Sequence, residues 1–239
     1  MRAAASAEQD ERVCGRYVVT KAVTDLLPDL LGGLGGLKDD FNVAPTALVP
    51  VVRDRGEGRA LREVKWGFLP SYAKEAKQKP QPINARIETV ATSGMFKRAF
   101  ARTRVVVPAL GYYEWVVTPT GKQPHFIHAP EGALAMAGIV SAWADPQRDR
   151  DDPDRWLLTM AVITRDAHVA PGEVHDRMPV CLTPEGYESW LTADVEPDDL
   201  VRLLQQESLA VAQTLQHHEV SRDANSVRNN GPNLILPLP

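Results

Sequence analysis

Gly111-Tyr112-Tyr113-Glu114-Trp115-Val116-Val117, followed by Thr118-Pro119-Thr120-Gly121 and then His125-Phe126-Ile127-His128, is the stretch that decides the fold. Aromatic and β-branched residues dominate the first arm, and residues 118–121 carry the proline and glycine of a tight hairpin turn. Short apolar runs of the same kind recur at residues 16–20, 47–52, 64–68, 104–107, 134–140 and 157–163, and each reads as a strand. Helical spacing is confined to residues 22–31, 95–101, 184–191 and 198–205. Many short strands with few helices predict an α+β fold, a single β-rich domain in which a mixed sheet curls towards a barrel with helices on its flanks.

A chain of 239 residues fits one large domain or two small ones, and there is no linker-like break after residue 14. We therefore expect one domain over residues 14–239, preceded by a disordered, polar leader over residues 1–13. A hydrophobic fraction of 44% and a charged fraction of 24% are ordinary for a globular chain with a sizeable core. No uncharged apolar run approaches the roughly 20 residues of a membrane span. The leader holds Glu8, Asp10, Glu11 and Arg12 and lacks the apolar region of a secretory signal. Two cysteines cannot build a disulfide framework, so a reducing cytoplasm is the expected compartment.

A net charge of −4 argues against a nucleic-acid partner, but its distribution does not. Residues 71–104 hold eight lysines and arginines against Glu75 and Glu88, whereas residues 185–207 hold seven acidic residues against Arg202 alone. Such polarity permits a basic face for phosphates, and solvated helix faces account for it equally well.

Four polar clusters sit inside or beside apolar runs: Cys14-Gly15-Arg16, Ile83-Asn84-Ala85-Arg86-Ile87-Glu88-Thr89, Gly111 to Trp115, and Val174-His175-Asp176-Arg177-Met178-Pro179. Each has an unremarkable reading. Cys14 alone reads as a buried core cysteine, and Glu114 as the wet side of an alternating strand. His175 could be a loop histidine bonded to Asp176 or backbone, Arg86 a surface partner of Glu88, and Asn84 a turn residue. If Glu114 is buried between Tyr113 and Trp115 instead, its pKa must rise. Together the clusters supply a nucleophile, two proton-transfer groups, an orienting amide and an anion clamp. A metal site is not expected: the six histidines show no HExxH or CxxC spacing, and His217-His218 are adjacent, which points them different ways on any regular element. The loop Gly32 to Gly36 follows no strand and carries no Lys-Ser/Thr, so it is not read as a phosphate cradle. Cys181, in the apolar run Pro179 to Leu182, is assigned to the core.

The blocks occur in an order that resembles the SOS response-associated peptidase family, also described as abasic-site-processing proteins. They are CGRY (14–17), FNVAP (41–45), WGFLP (66–70), INARIET (83–89), MFKRAF (95–100), GYYEW (111–115), AGIVSAW (137–143), HDRMP (175–179) and NNGPNLI (229–235). The resemblance implies that family's fold and a monomer that binds single-stranded DNA and links covalently to abasic sites, without a cofactor. By motif, Cys14 would be the nucleophile, with Asn84, Glu114 and His175 as its catalytic partners. Arg16, Asn42, Pro45, Trp66, Arg86 and Arg177 would form the DNA-binding surface, with Arg86 and Arg177 on phosphate or the opened sugar and Asn42, Pro45, Trp66 and Trp115 helping to wall the site or stack bases.

The chemistry of a cysteine fits that assignment if Cys14 carries a free α-amine. Such an amine, with an unperturbed pKa of about 7.7–8.0, condenses with the aldehyde of a ring-opened abasic sugar, and the thiol then closes a thiazolidine. With residues 1–13 attached, the nitrogen is an amide and cannot do so. We expect the leader to be either removed or never made, the latter if translation starts at a GTG-encoded Val13. Two other classes compete: a cysteine peptidase acting on proteins, which needs only the thiolate, and a single-strand-binding module without chemistry.

Overall fold

A computed structural model describes residues 14–54, 56, 58–130, 132–192 and 194–239, so the leader expected to be disordered lies outside the described residues. Along them run strands β1 (Tyr17–Val19), β2 (Asp40–Val43), β3 (Leu48–Asp54), β4 (Arg59–Trp66), β5 (Asn84–Arg86), β6 (Arg104–Ala109) and β7 (Gly111–Thr118). They continue as β8 (Gly121–His128), β9 (Leu134–Ala144), β10 (Trp156–Asp166), β11 (Arg177–Pro179), β12 (Cys181–Leu182) and β13 (Gln216–Glu219). The helices are α1 (Val23–Leu26), α2 (Pro28–Leu31), α3 (Ile87–Val90), α4 (Lys97–Arg102), α5 (Ala170–Val174), α6 (Pro184–Thr192) and α7 (Pro197–Ala212).

Strands β4, β3, β6, β9 and β10 pair in that order, and β10 returns to β4 in parallel, so the five close into a barrel. β5 and β11 extend from β10, and β12 from β9. A second, antiparallel sheet runs β13-β8-β7-β1-β2. Its inner face joins the barrel in one core, where Tyr17 meets Trp66 edge-on at 5.5 Å between ring centres. Its outer face carries a separate cluster of Val18, Tyr113, Phe126, Val220 and Ala224, covered by the C-terminal segment. The expected α+β architecture with a barrel-like mixed sheet is therefore the observed one.

The β7–β8 hairpin turns at Thr118 and Gly121, which face each other across a two-residue loop, with Gly121 at φ +116. Because both faces of this sheet are covered, its strands read as continuous aromatic runs and alternation does not reveal which side is wet. Pro28 divides the predicted helix over residues 22–31 into α1 and α2: lacking an N–H, it can only begin the second turn. β4 starts at Arg59, ahead of the apolar residues that mark it, because Arg59 to Glu63 are held by pairing with β3. Strands of two to four residues such as β2, β5, β11, β12 and β13 carry too few positions for any periodicity. Cys181 is fully buried on β12.

Gly111 shows how closely the hairpin is packed. A Cβ there would lie 2.4 Å from Phe126 Cζ and 2.6 Å from the Ile127 carbonyl oxygen. Gly111→Ala is expected to cost about 3 kcal/mol, the upper end of ordinary overpacking, read as a lower urea midpoint with an unchanged slope.

Candidate active site

β1 lies against β7 with Tyr17 opposite Tyr112, and the Tyr113 N–H donates to the Arg16 carbonyl at 3.0 Å. That pairing brings the residues just before β1 alongside the middle of β7. The Cys14 N–H donates to Glu114 Oε1 at 2.6 Å, which sets the Cys14 thiol in the electrostatic neighbourhood of the same carboxyl. Both residues are buried. Burial pushes the Glu114 carboxyl up to about 8, Cys14 offsets part of that rise, and Asp176 adds to it. The Cys14 thiol is also raised well above its ordinary value, by burial first and by Glu114 second, while Arg177 pulls the other way. At neutral pH the carboxyl thus keeps its proton beside a protonated thiol. Tyr112, two residues before Glu114 on the same strand face, brings a buried hydroxyl into the electrostatic neighbourhood of Cys14 and has no hydrogen-bond partner among the described residues. Sequence reasoning missed it, although its spacing from Glu114 was the available signal.

A cleft of about 810 Å³ is lined by Pro45, Thr46, Trp66, Asn84, Arg86 and Arg177, with Lys65, Lys77 and Lys79 around it. A hollow of about 520 Å³ holds Gly15, Arg16, Trp115 and Lys122 and shares Pro45 and Thr46 with the cleft. β5 supplies Asn84 and Arg86 from alternate positions, with Ala85 turned into the core between them. The lysines of the cleft went unremarked as individuals in the sequence. The basic residues of 71–104 divide, since Lys97, Arg98 and Arg102 line a separate hollow beside α4.

Several of the residues named from the sequence are held by the fold itself. Trp66 is only 1% exposed and donates its ring N–H to the Ile83 carbonyl at 2.9 Å, so it walls the cleft and offers no open ring face to a base. Asn42 is buried under the C-terminal segment, donating to the Ser226 and Asn229 carbonyls at 2.9 and 3.0 Å. Its Oδ1 accepts from Arg16 at 2.7 Å, and Arg16 also donates to the Ala224 carbonyl and lies over the Trp115 ring. A buried amide needs such partners, and Asn42 therefore pins the NNGPNLI region in place of facing a ligand. Arg177 grips both oxygens of Glu88 at 3.0 and 3.2 Å, Asp166 at 2.5 Å and the Thr164 carbonyl at 3.0 Å. It edges the cleft while tying β11, β10 and α3 together. His175 follows α5 and is half-buried. Its Nδ1 accepts from the Arg177 N–H at 3.0 Å and lies 2.9 Å from Asp176, the loop arrangement that the sequence also allowed.

Three described non-glycine residues adopt positive φ: Cys14 at 49, Thr46 at 76 and Val169 at 56. Cys14 is at the centre, Thr46 joins the two hollows, and Val169 caps the helix that leads to His175. Backbone strain of this kind, costing of order 1–3 kcal/mol per residue, gathers where function requires a particular geometry.

Barrel and sheet hold Cys14 against a buried carboxyl, and the next residue, Gly15, lines the hollow that shares Pro45 and Thr46 with the basic cleft. The family model for the SOS response associated peptidase (SRAP) matches residues 13–227, and the chain belongs to that family. It is 31% identical to the abasic site processing protein YoqW of Bacillus subtilis over 230 residues, which cover 93% of this chain and 99% of that one. It is 33% identical to the abasic site processing protein YedK of Escherichia coli, covering 83% and 84%. A crystal structure of a protein from Bacteroides thetaiotaomicron superposes with a TM-score of 0.75 at 20% identity, over 95% of this chain and 100% of that one.

A carboxyl whose pKa is raised by folding stabilises the native state below its unfolded value, and that stability is lost as pH rises through the folded value. For Glu114 the window runs from the ordinary 4.5 to about 8. The melting temperature should fall across that window in wild type and fall less in Glu114→Gln, so that the variant is the more stable protein above pH 8. Parallel curves would contradict the buried proton.

Proposed function

We propose that this protein captures abasic sites in single-stranded DNA as a covalent adduct on Cys14, with Glu114 moving the protons. The observation that carries the reading is that the buried Glu114 carboxyl accepts a hydrogen bond from the nitrogen of the buried Cys14. The relatives YoqW and YedK are named for abasic-site processing, which supports the substrate. The cleft offers Arg86, Lys65, Lys77 and Lys79 to a phosphate backbone, and Trp115 in the adjoining hollow can stack a base.

In the chain as written, the nitrogen of Cys14 belongs to the Val13–Cys14 peptide. Where residues 1–13 are made, water adds to the Val13 carbonyl carbon and the C–N bond breaks. Glu114 hands its proton to the departing nitrogen, which becomes an amine, while the proton given up by the water reloads Glu114 and Val13 is left as a carboxylic acid. That amine adds to the sugar aldehyde, a water molecule leaves and an imine remains. The thiol sulfur bonds to the imine carbon while its proton passes to the nitrogen, which closes the thiazolidine. Both nucleophiles share one residue, so their effective concentration is very high. Glu114 serves as acid when water leaves and as base when the thiol attacks. Asn84 at the cleft and His175 assist sugar opening. The working unit is a single copy of the chain in the cytoplasm, and no cofactor takes part.

Protein beginning at Cys14 should form a heat-stable adduct with single-stranded DNA carrying an abasic site, whereas Cys14→Ala should form none. Cys181→Ala should retain the adduct. A chain that keeps residues 1–13 intact should be inactive, and mass spectrometry of any adduct should find Cys14 at the N-terminus. An adduct of equal yield with the leader still attached would exclude the amine mechanism.

Arg86→Ala should weaken single-strand binding and reduce the slope of log affinity against log salt by about one phosphate contact, since one fewer counterion is released. Glu114→Gln should bind DNA nearly as wild type and form the adduct more slowly. A salt titration beside a crosslinking time course separates the two roles.

A further inference from the structure

β8 runs beside β7 with His125 directly opposite Glu114, so the two side chains leave the same face of the sheet with Cβ atoms about 5 Å apart. On the next strand, β13, His217 lies diagonally across from His125, and their Nδ1 atoms are 3.1 Å apart. His217 Nε2 lies 3.2 Å from Glu173 Oε2 on α5, and the Glu173 side chain is 72% exposed. His125, His217 and Glu173 thus lead from the strand position opposite Glu114 out to water. The neighbouring histidine His218 belongs to the other face, packed on Phe126 and His128. Glu219 faces His125 from β13, and Asp176, just past α5, acts on Glu114.

We propose that His125, His217 and Glu173 form a proton relay that connects Glu114 to solvent during adduct chemistry. It rests on the reading of Glu114 as the proton carrier given above. One set of tautomers satisfies every contact: His125 donates from Nδ1–H to His217 Nδ1, and His217 donates from Nε2–H to the Glu173 carboxylate. His125 Nε2 is then the acceptor. When Glu114 releases a proton, its O–H bond breaks and an N–H forms at His125 Nε2, directly or across one water. The His125 Nδ1–H bond breaks as one forms at His217 Nδ1, and the His217 Nε2–H bond breaks as an O–H forms on Glu173, which sheds the proton to water. Reloading Glu114 reverses each step and restores both tautomers, which suits a carboxyl that serves alternately as acid and base. Burial and His217 hold the His125 imidazole below its ordinary range, so it remains neutral between transfers and does not trap the proton.

The same contacts could merely tie α5 to the sheet, so the test needs readouts that a tie would not move. Single-turnover adduct formation is measured for wild type, Glu173→Gln and His217→Gln in dilute buffer and with added imidazole, using the form of the chain that yields the wild-type adduct. The expected result is a rate about ten-fold lower in His217→Gln, a modest share of what general acid–base catalysis supplies, restored by imidazole, with wild type indifferent to buffer. Glu173→Gln changes an exposed side chain, so its folding is not at issue, and it should show the same buffer-dependent deficit. Wild-type rates in both variants, or slow rates that buffer does not restore, would overturn the relay. A separate measurement on the full chain follows the His125 ring by NMR. Its titration should shift in Glu114→Gln, and an unshifted titration would overturn the coupling even if wild type formed no adduct and the reading of the activity itself failed.

Discussion

The bond from Cys14 to the Glu114 carboxyl is the constraint around which the rest of the molecule is arranged. A carboxyl can be buried at this depth only if it stays protonated or is matched by a cation. Here it holds its proton, and it accepts a hydrogen bond from the nitrogen of Cys14. That choice requires a sheet sealed on both sides. The barrel closes the inner face, and the C-terminal segment closes the outer one by way of Asn42, Arg16 and the Tyr113 hydroxyl, which donates to the Phe41 carbonyl at 2.8 Å. A segment more than a hundred residues beyond Glu114 in sequence thereby covers the opposite face of the sheet that carries it.

Two of the arginines in the motif blocks, Arg177 and Arg86, line the same cleft from different strands. Arg177 is loaded by two carboxylates, Glu88 and Asp166, and by a carbonyl, which nearly neutralises it where it stands. Arg86, on β5, lines the cleft among lysines. A polyanion entering the cleft meets net positive charge from Arg86, Lys65, Lys77 and Lys79, while Arg177 keeps β11 and the backbone after His175 in register. The acidic total of the chain is compatible with this because charge acts locally, over a Debye length of about 8–10 Å.

Much of this was legible in the amino-acid order, and the rest was hidden for identifiable reasons. The β7–β8 hairpin could be read from its aromatic arms and its Pro-Gly turn, and the family resemblance carried residues 14–239 as one unit. Glu114 could not be resolved between wet and buried, because a sheet covered on both faces erases the alternation that would decide it. The strand holding Asn84 and Arg86 exists only through its pairing with β10, and no local pattern of three residues announces that. Trp66 and Asn42 looked like recognition residues because motif membership does not distinguish a wall from a contact. Only the hydrogen bonds to Ile83 and to the C-terminal carbonyls separate the two.

α5 draws the remaining features together. It is five residues long, too short to be stable alone, and begins at the strained Val169. One of its residues, Glu173, meets His217, and the residue just after it is His175, whose ring is fixed by the Arg177 backbone. Any displacement of α5 must therefore move the catalytic candidate His175 and the outer end of the histidine pair together. Helical propensity cannot hold so short an element, so its position depends on Val174 in the core and on these side-chain bonds.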